Sequence, residues 1–546
     1  MKDQHRSLIA AALSFLVLIG WYYFFGSKMK PSTPPAAVSG PASPLSQNTT
    51  TPPPSVPGTP ASSGSSEPQP ESVVTKETPL MSLEWTNRGG RLSKILLKNY
   101  KKDVAKDSPP IDLLPFEGER SLELTCRDCS ASLPADDLYA VTPAGDRQIA
   151  FEAAANGLKV TKQFDWSDDR YVLNLRVTVE NQSDQEFHGR VGLGWRSRQY
   201  PAPPKGFFSF LKRPTDHRSF LYKLGQDVKH LAELKEPSDF RGEVPWAGIE
   251  DRYFLISLLP RRLSPDQILH LQKDGDFLDA VVYPPEVRIP AQGRHEEIYS
   301  FYLGPKERNL LLQAGVGLEK AVDYGWFSLL AIPILKALQL FHSVVKNWGL
   351  AVIVLTLFIK LLMNPLTVKS MKQMKKMQDL QPKLAVLKEK YKNDRQKLNT
   401  ETMALFRTHS VNPMGGCLPM LLQMPIYIAL YKVIYNAIEL YHAPFVGFYR
   451  DLSAPDPYFI LPVLLGVCMV AQQRLTPSPS ADPAQKQMMT IMPIMFTAFM
   501  LFLPMGLVLY IFVNTLFSVI QQWMYQKGIR WRDIPGRLKG DQPASS

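Results

Sequence analysis

The residues best equipped for chemistry are polar side chains set into long apolar runs. Thr356, Lys360 and Asn364 are spaced i, i+4, i+8, so a helix aligns them on one side. A second run carries Tyr510, Asn514, Ser518 and then Gln521 or Gln522 along one stripe. Gln423 and Tyr427 stand in a third, and Gln472 and Gln473 in a fourth. A proton relay needs Asp, Glu or His near the middle of a membrane. These runs hold no Asp or Glu there, and His342 and His442 stand only at their edges. The chain has no G-x-S-x-G, no H-E-x-x-H, no P-loop and no paired metal-ligand cluster. No catalytic residue, metal or cofactor is therefore expected. What remains is a means of holding water and positive charge inside an apolar slab.

Lys360 carries that charge. A cation at mid-bilayer costs on the order of 2.5–3.5 kcal/mol on insertion scales. Lys360 lies about 7 Å from Pro365 at ~1.5 Å per residue, so one reading is that its ammonium snorkels to the near interface. The companion stripes favour another: a water-accessible pocket in the cytoplasmic halves of the spans, shut towards the outside. Taken singly, each polar residue also reads as helix-helix glue. Lys432, nearer the outer end of its run, fits neither.

Past Pro365, the basic stretch carries Met371, Met374 and Met377. Pro382 can open a helix to about Tyr391, Lys392-Asn393-Asp394 makes a turn, and a second helix runs from about Arg395 to Thr408. This predicts a helical hairpin at 369–411. Methionine is flexible and polarisable, so a Met-rich face fits varied apolar partners; ordinary packing is the alternative for any one of them.

The elements that must position these residues follow from how hydropathy and charge are distributed. Mean hydropathy over 546 residues is slightly negative, yet the apolar residues are segregated. They fill Leu8–Phe25 and recur through Val344–Trp523, while Thr33–Lys320 is mostly polar. The net charge of +12 is densest between Lys369 and Arg407, with eleven Lys or Arg against four Asp or Glu. Placed between two spans, that is a short cytoplasmic loop under the positive-inside rule. Only Tyr391 and Phe406 are aromatic there, so it is no stacking platform for bases and no direct sequence-specific nucleic-acid binding is expected.

Residues 1–26 read as an uncleaved signal-anchor span, since Trp21-Tyr22-Tyr23-Phe24-Phe25 is an interface anchor and a poor cleavage site. Residues 27–78, rich in Pro, Ser, Thr and Gly, read as a flexible tether. Residues 79–320 alternate like short half-buried strands (Ser82–Trp85, Arg91–Leu97, Leu158–Trp166, Tyr171–Glu180, Arg190–Trp195, Phe277–Tyr283 and Ile298–Leu303), which predicts a β-sandwich outside the cytoplasm. Cys126 and Cys129 lie there as a C-x-x-C that could form a local disulfide. Residues 321–347 read as an amphipathic helix in the interface, with Lys336, Gln339, Ser343 and Lys346 as its polar stripe. Residues 348–526 hold five spans, at roughly Trp348–Pro365, Gly416–Leu440, Tyr458–Arg474, Met488–Leu503 and Met505–Gln526. Residues 527–546 form a basic cytoplasmic tail. The fold class is thus a polytopic α-helical membrane protein of six spans with an all-β outer domain and a cytoplasmic helical hairpin.

Several motifs resemble the YidC/Oxa/Alb family: Asn347-Trp348-Gly349, Asn364-Pro365-Leu366-Thr367, Asn412-Pro413-Met414-Gly415-Gly416-Cys417, Gln423-Met424-Pro425-Ile426, Asp456-Pro457-Tyr458, Pro504-Met505-Gly506-Leu507 and Gln521-Gln522. The resemblance is specific over about Val322–Gly528. It implies a five-helix insertase core around a hydrophilic groove open to cytoplasm and lipid, and a periplasmic β-super-sandwich. It also implies an inner-membrane location with both termini cytoplasmic. Substrates would be nascent membrane proteins, inserted alone or beside the Sec translocon and received from ribosomes. The groove usually bears an arginine, and Lys360 holds the matching position, which keeps the charge and loses bidentate pairing. Thr356, Gln423 and Tyr510 match groove positions, whereas Ile511 replaces a second aromatic. Two rivals make other demands. A solute transporter predicts internal repeats and a midplane site, and a sugar-processing sandwich predicts a convergent His/Glu pair; none is evident.

Overall fold

The computed structural model describes residues 71–199, 218–231, 234–411, 418–475 and 483–528. The span expected at 1–26, most of the tether and the tail beyond 528 lie outside the described residues.

Residues 73–305 fold as 19 strands among the described residues, all paired antiparallel. A nine-stranded sheet runs in the order Asp227–Leu231, Ser219–Leu224, Trp246–Glu250, Phe254–Pro260, Arg294–Pro305, Val172–Asn181, Leu158–Trp166, Gln148–Ala155, Ala140–Gly145. A six-stranded sheet, built on Phe187–Arg198 and Phe277–Tyr283, packs against it, and Trp195, Ile256 and Phe301 meet between the two. Period-2 alternation explains the faces: in Leu158–Trp166 every even-numbered residue is buried and every odd one half-buried. A smaller four-stranded sheet starts at Val73–Glu77, so the tether predicted to reach 78 ends earlier. That strand is short and exposed on alternate residues, which left little hydrophobic signal. Cys126 and Cys129 are joined by a disulfide.

The rest is helical. Helix α1 (Arg308–Ala314) closes the β domain, and α2 (Ser328–Val345) follows two 3-10 turns. Helix α3 spans Trp348–Asp379, then come α4 (Gln381–Lys390), α5 (Arg395–Thr408), α6 (Leu418–Asn436), α7 (Ile460–Leu475), α8 (Pro483–Met500) and α9 (Met505–Gln526). α3 does not stop at Pro365, as expected, but runs through it. An interior proline loses one ladder hydrogen bond and crowds the carbonyl four residues back, yet the polar stretch beyond it continues the helix. α4 and α5 pack against each other.

α2 departs from its predicted stripe. Gln339 is half-buried and donates to Glu439 Oε1 at 2.8 Å, while Lys336, Ser343 and Lys346 stay exposed beside apolar Trp326 (90%), Leu329 and Val344. Among the described residues, Gly325–Val345, Trp348–Asp379 and Met505–Gln526 are long and apolar enough to cross a membrane, with Ile460–Leu475 and Ile491–Met500 shorter.

Hydrogen bonds reveal the helix directions. At one end Asn347 caps α3 through Leu350 N and donates to Phe445 O at 2.9 Å. There too Met505 N and Gly506 N reach Ala454 O and Leu452 O (2.7 and 2.9 Å). Asp456, almost fully buried, accepts Leu461 N at 2.8 Å in the first turn of α7. At the other end Gln522 and Gln526 donate to Leu475 O. So α3, α7 and α9 run one way, and α6 returns.

Candidate functional site

Four of the predicted residues meet along the inner faces of α3, α6 and α9. Lys360 Nζ turns into the bundle and donates to Ser518 Oγ at 2.7 Å. Ser518 Oγ in turn donates to the Asn514 carbonyl at 2.8 Å, the i−4 bond its helical position offers. Gln423 Nε2 donates to Asn514 Oδ1 at 2.7 Å, and Asn514 Nδ2 donates to the Tyr427 hydroxyl. The Tyr510 ring lies edge-on to Tyr427, with centroids 5.6 Å apart. One rung further along, Gln521 Nε2 donates to Asn364 Oδ1 at 2.6 Å.

Two expectations change here. Lys360 does not snorkel, because its ammonium points to α9 and the residue is only 7% exposed. Nor is it open to water as a groove would make it, since packed helices cover it. Thr356 is buried and bonds its own helix at the Val352 carbonyl, at 2.6 Å, so it lines the packing next to Lys360 and presents no free group. Gln473 is half-buried on α7 and stands outside this network among the described residues.

Among the described residues the charge on Lys360 has no carboxylate to meet it. The five runs that form α3 to residue 378, α6, α7, α8 and α9 contain no Asp or Glu. Among the described residues Lys360 joins no ion pair, and its partner is a neutral hydroxyl. A cation held in a low-dielectric setting by one dipole retains a strong pull on any anion that arrives.

Towards the outer end the start of α9 is apolar and closely packed. Met505–Tyr510 are all buried, and a Cβ on Gly349 would lie 2.1 Å from the Phe445 ring. Only glycine permits that approach of loop and helix. The outer loop is pinned by Asp451, which bonds His442 Nδ1 at 2.9 Å and Ser453 N at 2.7 Å. Burial opposes a charge on His442, but Asp451 outweighs it and lifts the imidazole above its ordinary value.

Met371, Met374 and Met377 lie half-buried on the inner extension of α3, next to the hairpin. The hairpin itself exposes Val386 and Met403. Among functional contacts that the sequence did not disclose are Gln339 with Glu439 and Arg252 with Tyr435. Both join residues far apart in the chain, and no local spacing signals them.

Residues 340–532 match the family described as 60Kd inner membrane protein, and residues 73–337 match the YidC periplasmic domain. A protein of Syntrophus aciditrophicus named Membrane protein insertase YidC is 34% identical over 549 residues, covering 96% of this chain and 99% of its own. One of the same name from Geobacter sulfurreducens is 34% identical over 535 residues, with the same coverage of 96% and 99%. A solved structure of a YidC insertase with its first transmembrane domain resolved shares 18% identity over 83% of this chain and 93% of its own, at a TM-score of 0.37.

Proposed function

The chain belongs to the YidC family of membrane protein insertases, and on that premise we propose that it eases hydrophobic segments of other proteins into the bilayer around Lys360. The observation that carries the reading is the lysine itself: a buried cation with a hydroxyl partner and, among the described residues, no carboxylate. Such a site attracts the acidic or polar outer flank of an incoming segment. Each polar group taken unassisted through hydrocarbon costs several kcal/mol. The rungs Lys360–Ser518, Gln423–Asn514 and Gln521–Asn364 are worth about 0.5–1.5 kcal/mol each when neutral and somewhat more when charged. A substrate's polar groups can therefore replace them at small cost, opening the covered pocket as the segment arrives.

In this reading Met371, Met374 and Met377, with Val386 and Met403 of the hairpin, receive the apolar segment on the cytoplasmic side. The polar flank then moves outward past Lys360 while the apolar part leaves sideways into lipid. No covalent step is involved. Both termini are cytoplasmic, and six spans include the segment at 1–26. α2 lies along the outer surface, because counting it as a span would move the basic Lys369–Arg407 loop outside, against the positive-inside rule. Nascent membrane proteins are the substrates, and the Sec translocon and the ribosome are the proposed partners. Site-specific crosslinking from Gln423 and Ser518 to stalled nascent chains tests the route, together with depletion. Crosslinks to the flank of the segment are expected, and normal insertion of single- and double-span reporters after depletion would sink the proposal.

A further inference from the structure

The β domain grips the helical bundle mainly at one short stretch, Tyr435–His442, where α6 ends. Arg252 of the β domain donates from Nε to the Tyr435 carbonyl at 2.8 Å. Its guanidinium carbon lies 3.8 Å from the centre of the Tyr435 ring and 4.7 Å from that of Tyr253. The last carbonyls of a helix lack partners within it, and a cation there also complements the helix dipole. So the closing cap of α6 comes from another domain. Around it, Asn436 Nδ2 donates to Asp323 O at 3.4 Å and the Tyr441 hydroxyl donates to Lys101 O at 2.9 Å. The Tyr441 ring packs on Tyr253 and Phe254, with centroids 5.0 and 5.7 Å away.

The arm that carries Arg252 is stiff. At its base Glu250 is buried between Lys306 Nζ at 2.7 Å and His230 Nδ1 at 2.6 Å. Asp251 Oδ1 then accepts the Tyr253 and Phe254 N–H groups at 2.8 and 2.7 Å. α6 is the helix that carries Gln423 and Tyr427, both bonded to Asn514. Tyr427 lies about 12 Å along the helix from Tyr435 at ~1.5 Å per residue. Any tilt or rotation at the outer end is therefore felt at the polar rungs.

We infer that Arg252 is a positioning residue for insertion: through Tyr435 the β domain pins the outer end of α6 and so sets Gln423 and Tyr427 against Asn514, beside Lys360. This rests on the insertase reading above. The test uses the full chain with Cys417→Ser and Cys468→Ser, reconstituted in liposomes with a double-span reporter. Arg252→Ala is expected to slow insertion by at least roughly tenfold, the lower end of what one hydrogen bond to a charged group commands, while the β domain melts at its native temperature. Arg252→Lys should not recover the rate, because it keeps the charge without the planar stack or the Nε donor. An Arg252→Cys, Tyr435→Cys pair should be slow when free and recover when joined by a short thiol-specific crosslinker, a response that a merely structural arginine would not give. Native-rate insertion by Arg252→Ala, or no recovery on crosslinking, overturns the pin. Failure of the Cys417→Ser, Cys468→Ser parent, and of the unmodified chain, to insert the reporter would instead overturn the insertase reading.

Discussion

Replacing Lys360 by methionine should leave the bundle at least as stable while slowing the insertion of segments with an acidic outer flank. Among the described residues the ammonium makes one hydrogen bond, to Ser518 Oγ at 2.7 Å, from a site that is 7% exposed. A charge there costs about 2.5–3.5 kcal/mol, and a hydrogen bond to a charged group returns about 1.5–3 kcal/mol. Methionine fills most of the same volume, and Ser518 keeps its bond to the Asn514 carbonyl at 2.8 Å, so no buried hydroxyl is orphaned. Stability should therefore change by between about 0 and 2 kcal/mol in the favourable direction. Function should move the other way. Two unit charges about 4 Å apart attract by about 4 kcal/mol at an effective dielectric of 20. If desolvation of the flank offsets half, about 2 kcal/mol remains, or roughly thirtyfold in rate. The assay is insertion into liposomes of paired reporters whose outer flank carries Asp or Asn, alongside thermal melts of the purified protein. The Asp reporter should slow far more than its Asn twin. Equal slowing of both, or a bundle destabilised by more than about 1 kcal/mol, would show that the lysine is cement and refute the reasoning.

Three further outcomes follow from buried groups. Lys162, wholly buried, is held by the carbonyls of Gly89, Gly90 and Leu122 at 2.6, 3.3 and 2.8 Å. Burial, with Arg91 nearby, pulls its ammonium from 10.5 down to about 7. The unfolded chain then binds the extra proton between those values, so Lys162 should make stability climb from about pH 7 to 10.5 and add no slope below; denaturant melts of Lys162→Met against the native chain should isolate that slope. Burial alone would raise the Glu250 carboxyl, but Lys306 and His230 hold it below 4.5. Lys306→Met should thus cost about 3–5 kcal/mol near neutral pH. Melts should show the gap closing below pH 4.5, as the carboxyl is protonated in both proteins. Gly349→Ala drives a methyl into the Phe445 ring and should cost about 1–3 kcal/mol in thermal melts.

Much of this architecture was legible wherever one face of an element is buried. Leu158–Trp166 and Phe277–Tyr283 were bounded to the residue, because alternation with period 2 is what a half-buried strand requires. Phe254–Pro260 is buried throughout and so carries no alternation, and Val287–Ile289 is too short to show any. On the helices, spacing of i and i+4 put Asn514 and Ser518 on one face and Lys360 next to Thr356. Which helix that face would meet is a matter of tertiary packing: Gln423 found Asn514, while Gln473 stayed outside the network. Pro365 read as an end because its ring removes a donor, yet α3 passes through it. The cap that Arg252 places on α6 spans two domains and leaves no trace in local sequence.

The contrast between the two ends of α9 bears on how insertion could proceed without a leak. From Met505 to Tyr510 the helix is buried among apolar side chains and close backbone contacts, and from Asn514 to Gln522 it carries the polar rungs. A polar path through the whole thickness would lower the barrier for a substrate's flank but would pass ions as well. A path limited to the inner half shortens the hydrocarbon that the flank must cross and leaves the outer half as a seal. The sign of the charge matters for the same reason: a fixed cation repels protons and metal ions while drawing in carboxylates. A neutral pocket would hydrate a flank equally well but would not discriminate. On the present reading, Lys360 supplies both the attraction and the exclusion.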